Sequence, residues 1–262
     1  MNIYCDTHVH CYDLPRFSSL LDQAHRNFNS AAGTNTSSSS QYIKFEFLMF
    51  FTDGIQDKTW THIYPLAVAN KQLGDWQLSL ALDHKLIRAS SGEKTITLAP
   101  ARQINSSHRL EFLLLGCDKD IEDGIAEQQI IDFYADQYLL ICPWGFGKWL
   151  GNRAKVLREL LSINASRLFL GDNGGRPSLW RHVAHFRQAR LPIINGSDPL
   201  PLTVDTGRIG SFGIHWISAE PELSLAVILE EIKTATLQNY GPQLSLYRFI
   251  RNQIGLKLRA KT

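Results

Sequence analysis

The chain has 262 residues, 44% of them hydrophobic, and a formal net charge of +2. That is enough for a sizeable core, and the charge is too balanced to point to nucleic acid or a charged membrane surface as a partner. No apolar run approaches the roughly 20 residues of a membrane span, no basic-then-apolar leader opens the chain, and the cysteines Cys5, Cys11, Cys117 and Cys142 lack Cys-x-x-Cys spacing, which argues against a zinc knuckle or a disulfide scaffold.

Ile3-Tyr4-Cys5 reads as the end of a buried strand that runs into Asp6-Thr7-His8-Val9-His10. Residues two apart on a strand share a side, so His8 and His10 present two imidazoles together as the chain leaves the sheet. Beyond Pro15, Phe17, Leu20, Leu21, Ala24 and Phe28 mark one helical face. Ser30 to Ser40 reads as an exposed loop. Tyr42 to Phe51 is a strand that stops at Thr52-Asp53-Gly54, and Asp57 to Leu73 has helical spacing.

Trp76 to Asp83, Leu86 to Ala89 and Lys94 to Ala99 are short strands with a turn at Ser90-Ser91-Gly92. With the strand Leu110 to Gly116 they suggest a β-meander insertion around 76–116. Ile121 to Gln137 reads as a helix, Tyr138 to Cys142 as a strand, Asn152 to Ser162 as a helix and Arg167 to Leu170 as a strand. Gly171 to Pro177 is a loop, Ser178 to Arg190 a helix, and Pro192 to Asn195 a strand ending in Gly196-Ser197-Asp198-Pro199. Leu223 to Ala235 and Pro242 to Leu258 are amphipathic helices, the second with a basic end. Strand, polar loop and helix repeat through the second half, which implies a parallel sheet with helical crossovers. No linker divides the chain, so a single domain over 1–262 is expected.

In a barrel of parallel strands, functional residues gather at the carboxyl ends of the strands. Here those ends carry His8 and His10, Asp53, Gln103 and Glu111, Lys148, Asp172 and Asn173, and Asp198. Imidazole and carboxylate together suit zinc, iron or manganese. Plainer roles stand beside that one: Asp198 and Asp172 as turn or capping aspartates, and Glu111 as the ion-pair partner of Arg102 or Arg109. Lys148, Arg153 and Arg176 follow consecutive strands in glycine-containing loops and could form an anion-binding rim. Trp144 and Trp149 flank that loop and either wall a pocket or, as the plainer role, pack the loop against the barrel; His25, His62, His84, His108, His182, His185 and His215 lack a comparable context.

Taken together, these motifs resemble the polymerase-and-histidinol-phosphatase (PHP) family of metal-dependent phosphoesterases over about residues 1 to 215. The family's opening Asp-x-His-x-His is similar to Asp6, His8 and His10, and its Thr-Asp-His to Thr52-Asp53-Gly54. Its middle region is similar in layout to Ala101-Arg102-Gln103-Ile104 followed by Leu110 to Gly116, and its late Gly-Ser-Asp-x-His to Gly196-Ser197-Asp198-Pro199-Leu200. The resemblance implies a distorted (β/α)7-type, TIM-like α/β barrel. It also implies a metal site reduced from three ions to one, because Gly54, Gln103, Glu111 and Leu200 stand where the family has metal ligands.

The ligands left are His8, His10, Glu111 and Asp198, with Asp172, Asp53 and Asp13 as further carboxylates, for one divalent zinc, manganese or iron ion. The implied activity is metal-dependent hydrolysis of a phosphate ester or another small anionic substrate. Asp198 would take a proton, and Lys148 and Arg176 would stabilise developing charge. Two alternatives stay open: an inactive PHP-like anion-binding protein, and a C–N hydrolase of the broader amidohydrolase kind, to which His8-Val9-His10, Asp198 and nominally Lys148 are also similar. The expected partners are a small anionic substrate, no nucleic acid and no membrane, in the cytoplasm.

Overall fold

Strands that alternate buried side chains between two faces build this protein, and the alternation determines which residues fill the barrel. The computed structural model describes residues 1–35, 44–55, 57–177, 179–180, 183–202 and 205–259. Its strands are β1 (Asn2–Val9), β2 (Phe45–Asp53), β3 (Gln72–Leu73), β4 (Trp76–Leu80), β5 (Ile87–Ser91), β6 (Lys94–Asn105), β7 (Glu111–Leu115), β8 (Leu139–Pro143), β9 (Phe169–Asp172), β10 (Ile193–Asn195), β11 (Gly213–Ile217) and β12 (Gln238–Tyr240). The helices are α1 (Phe17–Asn35), α2 (Thr59–Val68), α3 (Glu127–Tyr134), α4 (Asn152–Ile163), α5 (Leu225–Thr234) and α6 (Leu246–Arg259).

The sheet runs β10-β9-β8-β7-β6-β2-β1-β11-β12. β1, β2 and β6 are mutually parallel neighbours, as are β8, β9 and β10, while β7 is antiparallel to both β6 and β8. The ends of β10 and β1 then meet: Thr7 Oγ1 donates to Asn195 O at 2.9 Å, and Asp198 N donates to His8 O at 2.8 Å. The result is a nearly closed, distorted TIM-like barrel of β1, β2 and β6 to β10. β3, β4 and β5 form a meander on the edge of β6, as the sequence suggests for the region after residue 76.

Side chains two apart point into this barrel from each of its strands: Ile3 and Cys5, Leu48 and Phe50, Ala99 and Ala101, Leu113 and Leu115, Leu139 and Ile141, then Phe169 and Ile194. Leu225, Ile228 and Ile232 of α5 join the same cluster. The intervening residues face outward. Tyr4, Met49 and Phe51 pack under α1 and α2, and Phe112, Leu114 and Leu140 pack under α3 and α4.

Several elements differ from expectation. α1 continues to Asn35 through part of the expected 30–40 loop, with Ala32 buried in the core; residues 36–40 of that loop lie outside the described residues. The helix expected to reach Leu73 stops at Val68, because Asn70 turns into the left-handed region (φ 52°) and Gln72–Leu73 pairs with β4. The helix expected from Ile121 starts only at Glu127, since the Asp123 carboxylate accepts hydrogen bonds from Asn105 N and Nδ2 and holds that segment against the β6–β7 hairpin. Within 178–190 the described residues form a 3-10 turn, Ala184–Gln188, instead of a long helix. β6 runs well past Ala99, Asp172 ends a strand instead of lying in a loop, and β11 and β12 were not anticipated. The antiparallel pairing of β7 agrees with a meander around 76–116, but β6 and β7 themselves belong to the barrel.

Candidate metal centre

β1 carries the first two site residues. Its pairing with β2 shifts register between Asp6 and Val9, which re-aims the chain as it leaves the barrel. His8 Nε2 and His10 Nε2 then lie 3.0 Å apart. Asp198, from the segment after β10, brings Oδ1 to 3.6 Å from His8 Nε2. Together these three buried residues offer ligand atoms within 4.8 Å of one another.

The first and last motifs are stitched together by Asp6. Its carboxylate accepts from Ser197 N at 2.8 Å, Gly210 N at 2.8 Å and His8 N at 3.3 Å. Burial pushes the Asp6 carboxyl up to about 6, and the three N–H donors oppose that rise. Asp198 itself takes a left-handed backbone (φ 39°) that a non-glycine residue adopts at some cost, and its N–H bond to His8 O holds it there.

Asp57 orients His10. Its Oδ2 lies 3.2 Å from His10 Nδ1 and accepts from Cys11 N at 2.9 Å. With the Nδ1 proton directed to Asp57, the Nε2 lone pair of His10 faces His8, an arrangement typical of metal-bound histidine. Burial lowers the pKa of His8 to about 3, so its ring is neutral and a nitrogen donor. Burial also acts to lower His10, but its hydrogen bond to Asp57 and the charge of Asp198 outweigh it and raise its pKa.

This donor set fits a divalent ion. Two nitrogens each about 2.0–2.1 Å from a tetrahedral zinc sit about 3.3 Å apart, close to the 3.0 Å between His8 and His10. Nitrogen lone pairs at that separation need a proton or a cation between them. Gln103 Oε1, 3.3 Å from His8 Nε2, adds an amide oxygen to the same space.

Lys148 flanks the cluster from the loop after β8. Its ammonium pairs with Glu111 Oε2 and lies 3.6 Å from Asp198 Oδ2. Burial acts to lower its pKa, but the charges of Asp198 and Glu111 raise it, so the group stays an ammonium. Burial would lift Asp198, yet His8 and Lys148 hold its carboxyl well below the usual range.

The other expected site residues are placed elsewhere. Glu111 lies beside the cluster as the counter-ion of Lys148, brought to the site end because β7 runs antiparallel. Asp172 pairs with Arg176 and accepts from Gly174 N at 2.9 Å. Arg176 also donates to Trp180 O at 3.0 Å and lies 5.3 Å from the Trp144 ring, so these two residues brace the β9 loop. Arg153 donates to Gly147 O at 2.7 Å. Asp53 accepts from Trp60 N and Thr61 N and fixes the start of α2, and Asp13 pairs with Arg16 at the surface. Of the other histidines, His215 packs at a tilt against the Tyr4 ring and His108 pairs with Glu127, while His182 lies outside the described residues.

Above the cluster lies a cavity of about 300 Å³. His10, Gln103, Glu111, Lys148 and Asp198 line its inner side, and Phe249, Asn252 and Leu256 of α6 line its outer side. Asn252 Nδ2 donates to Asp205 Oδ1 at 3.0 Å and ties the helix down. Asn173 Nδ2 donates to Asp198 Oδ2 at 3.0 Å. Sequence reasoning missed Asp57, Asp205, Arg208 and Asn252. The only signal was the short Asp57-Lys58-Thr59 capping pattern, in which Thr59 N bonds Asp57 Oδ1 at 3.0 Å.

No family model matches the sequence, and no curated protein matches it by sequence. Solved structures do share the fold. PsfC from Pseudomonas syringae PB-5123 superposes with a TM-score of 0.58 at 11% identity, over 99% of this chain and 97% of PsfC. The lesion-specific endonuclease PfuEndoQ from Pyrococcus furiosus gives 0.53 at 12% identity, over 91% of this chain and 58% of the endonuclease. Endonuclease Q in complex with a 27-mer duplex bearing an abasic lesion gives 0.50 with the same identity and coverage. The expectation of no nucleic-acid partner, drawn from near-neutral charge, is therefore corrected: this fold also occurs in an endonuclease solved with a 27-mer duplex substrate whose abasic lesion lies at the active site. Net charge averages over the whole surface and is blind to a local site. Among the described residues, no helix is long and apolar enough to cross a membrane.

Proposed function

We propose that this chain is a divergent PHP-type hydrolase that uses one divalent metal ion to cleave a phosphate ester of an anionic substrate. The observation that carries this reading is the His8–His10–Asp198 cluster beneath a 300 Å³ cavity, with the Lys148 ammonium beside it. His8 and His10 would hold zinc, manganese or iron through Nε2, and Asp198 through Oδ1. A divalent ion there supplies Lewis-acid polarisation of the scissile group.

The protein's own residues do the rest. Lys148 carries a fixed positive charge next to the cluster and stabilises negative charge that develops on phosphoryl or leaving-group oxygens. Glu111 holds Lys148 in place. Asn173 and Lys148 orient Asp198 through its Oδ2, leaving Oδ1 toward the histidines. Asp57 keeps His10 in the tautomer that presents Nε2.

A substrate panel with added zinc or manganese tests this reading: small phosphate esters, abasic-site DNA duplexes and cyclic amides. Cleavage of a phosphate ester, read as phosphate release from the small esters or strand scission of the duplex, that EDTA abolishes and His8→Ala removes is the expected result. Turnover of the cyclic amides alone would favour C–N hydrolysis, and a metal-binding but inert protein would favour the anion-binding alternative.

A further inference from the structure

Arg208 sits in the wall of the same cavity, and nothing in the motif pattern points to it. It lies on the 3-10 turn Thr206–Arg208 and is only 5% exposed. A buried guanidinium is costly unless its charge and its donors find partners.

Its partners within the protein are few for a group with five N–H donors. Nη2 donates to Asn173 O, Nη1 forms an ion pair with Asp205 Oδ2 at 3.8 Å that is too long for a hydrogen bond, and the guanidinium lies 5.9 Å from the Phe212 ring. The Asp205 carboxylate is engaged elsewhere, by Leu200 N at 2.8 Å and Asn252 Nδ2 at 3.0 Å. Nε and Nη1 of Arg208 thus make no hydrogen bond among the described residues, and the residue lines the cavity.

Asn173 fixes the spacing. Its carbonyl accepts from Arg208, and its side-chain amide donates to Asp198. A group bound at Arg208 therefore lies one residue away from a group bound at the metal cluster. A sphere of the cavity's 300 Å³ is about 8 Å across, which sets the scale of a ligand that touches both ends.

We infer that Arg208 anchors a second anionic group of the substrate, a carboxylate or a phosphoryl group. The substrate is then a small bifunctional anion, or the end of a longer one, with its ester at His8, His10 and Asp198 and its second charge on the Arg208 fork. This assignment rests on the hydrolase reading for the identity of the first group.

Calorimetric binding to the full-length, zinc-loaded chain tests it without turnover. The probes are methylphosphonate, phosphonoacetate for the carboxylate arm, and 1,3-propanediphosphonate for the phosphoryl arm. At least one bifunctional probe should bind tenfold or more tightly than methylphosphonate. In Arg208→Gln that advantage should collapse to less than threefold, and in Arg208→Lys, which keeps the charge but not the fork, it should fall partway. Circular dichroism checks that each variant is folded, and Arg208→Lys carries the test if Arg208→Gln is not. An absent advantage in the wild type, or an advantage that survives in the folded variant, overturns the inference. Failure of the metal reading shows separately, as methylphosphonate affinity unchanged by EDTA.

Discussion

Asp57 Oδ2 accepts from His10 Nδ1 at 3.2 Å and from Cys11 N at 2.9 Å, so one buried carboxylate sets both the ring of His10 and the path of the chain beyond it. A partner of this kind orients a metal-bound imidazole and raises its basicity. Asp57→Ala is expected to weaken zinc affinity by about 10–100-fold, read by competition with a chromogenic chelator. Affinity within twofold of the wild type would show that His10 needs no such support.

Lys148 tests the charge side of the account. It touches both Glu111 and Asp198, and its position fits stabilisation of charge in the transition state more than metal retention. Lys148→Met should lower kcat by about 10²-fold or more, as loss of a transition-state donor does, while metal stoichiometry stays the same. A change confined to KM would instead make Lys148 a ground-state binding group.

These two residues also show what the sequence could and could not reveal. Lys148 was identifiable because it follows a strand-like apolar run and a Gly-rich loop, and β8 does end at Pro143. The barrel was legible from the repeat of apolar strand, polar loop and helix in the second half and from the resemblance of the strand-end motifs to the PHP family, whereas the inward pairs such as Leu48 with Phe50 lie in an unbroken apolar run. Asp57 was not legible as a site residue, because its role depends on where the β2–α2 loop folds back onto β1, 47 residues away in sequence. Arg208 was missed for the same reason, since its place depends on Asn173 from another loop. Glu111 carried the ambiguity of any carboxylate on an apolar strand, metal-bound or paired, and in the structure it is paired with Lys148.

Away from the site, Glu127 gives a pH prediction for stability. Burial acts to raise its pKa, but hydrogen bonds from Ser106 and His108 lower it overall. A carboxyl depressed in the folded state adds stability above its unfolded pKa of about 4.3, and that stability is lost as the pH falls through the lower folded value. Glu127→Gln should therefore lower Tm at pH 7, and the gap from wild type should shrink below about pH 4. A gap that widens in acid would contradict the assignment.

Inductively coupled plasma mass spectrometry tests most directly whether His8, His10 and Asp198 hold one metal ion. After exposure to zinc or manganese and gel filtration, the wild-type chain is predicted to retain close to one ion per chain, and the folded His8→Ala/His10→Ala and Asp198→Asn variants to retain far less. No stoichiometric metal on the wild type, or equal retention by the variants, would contradict the account.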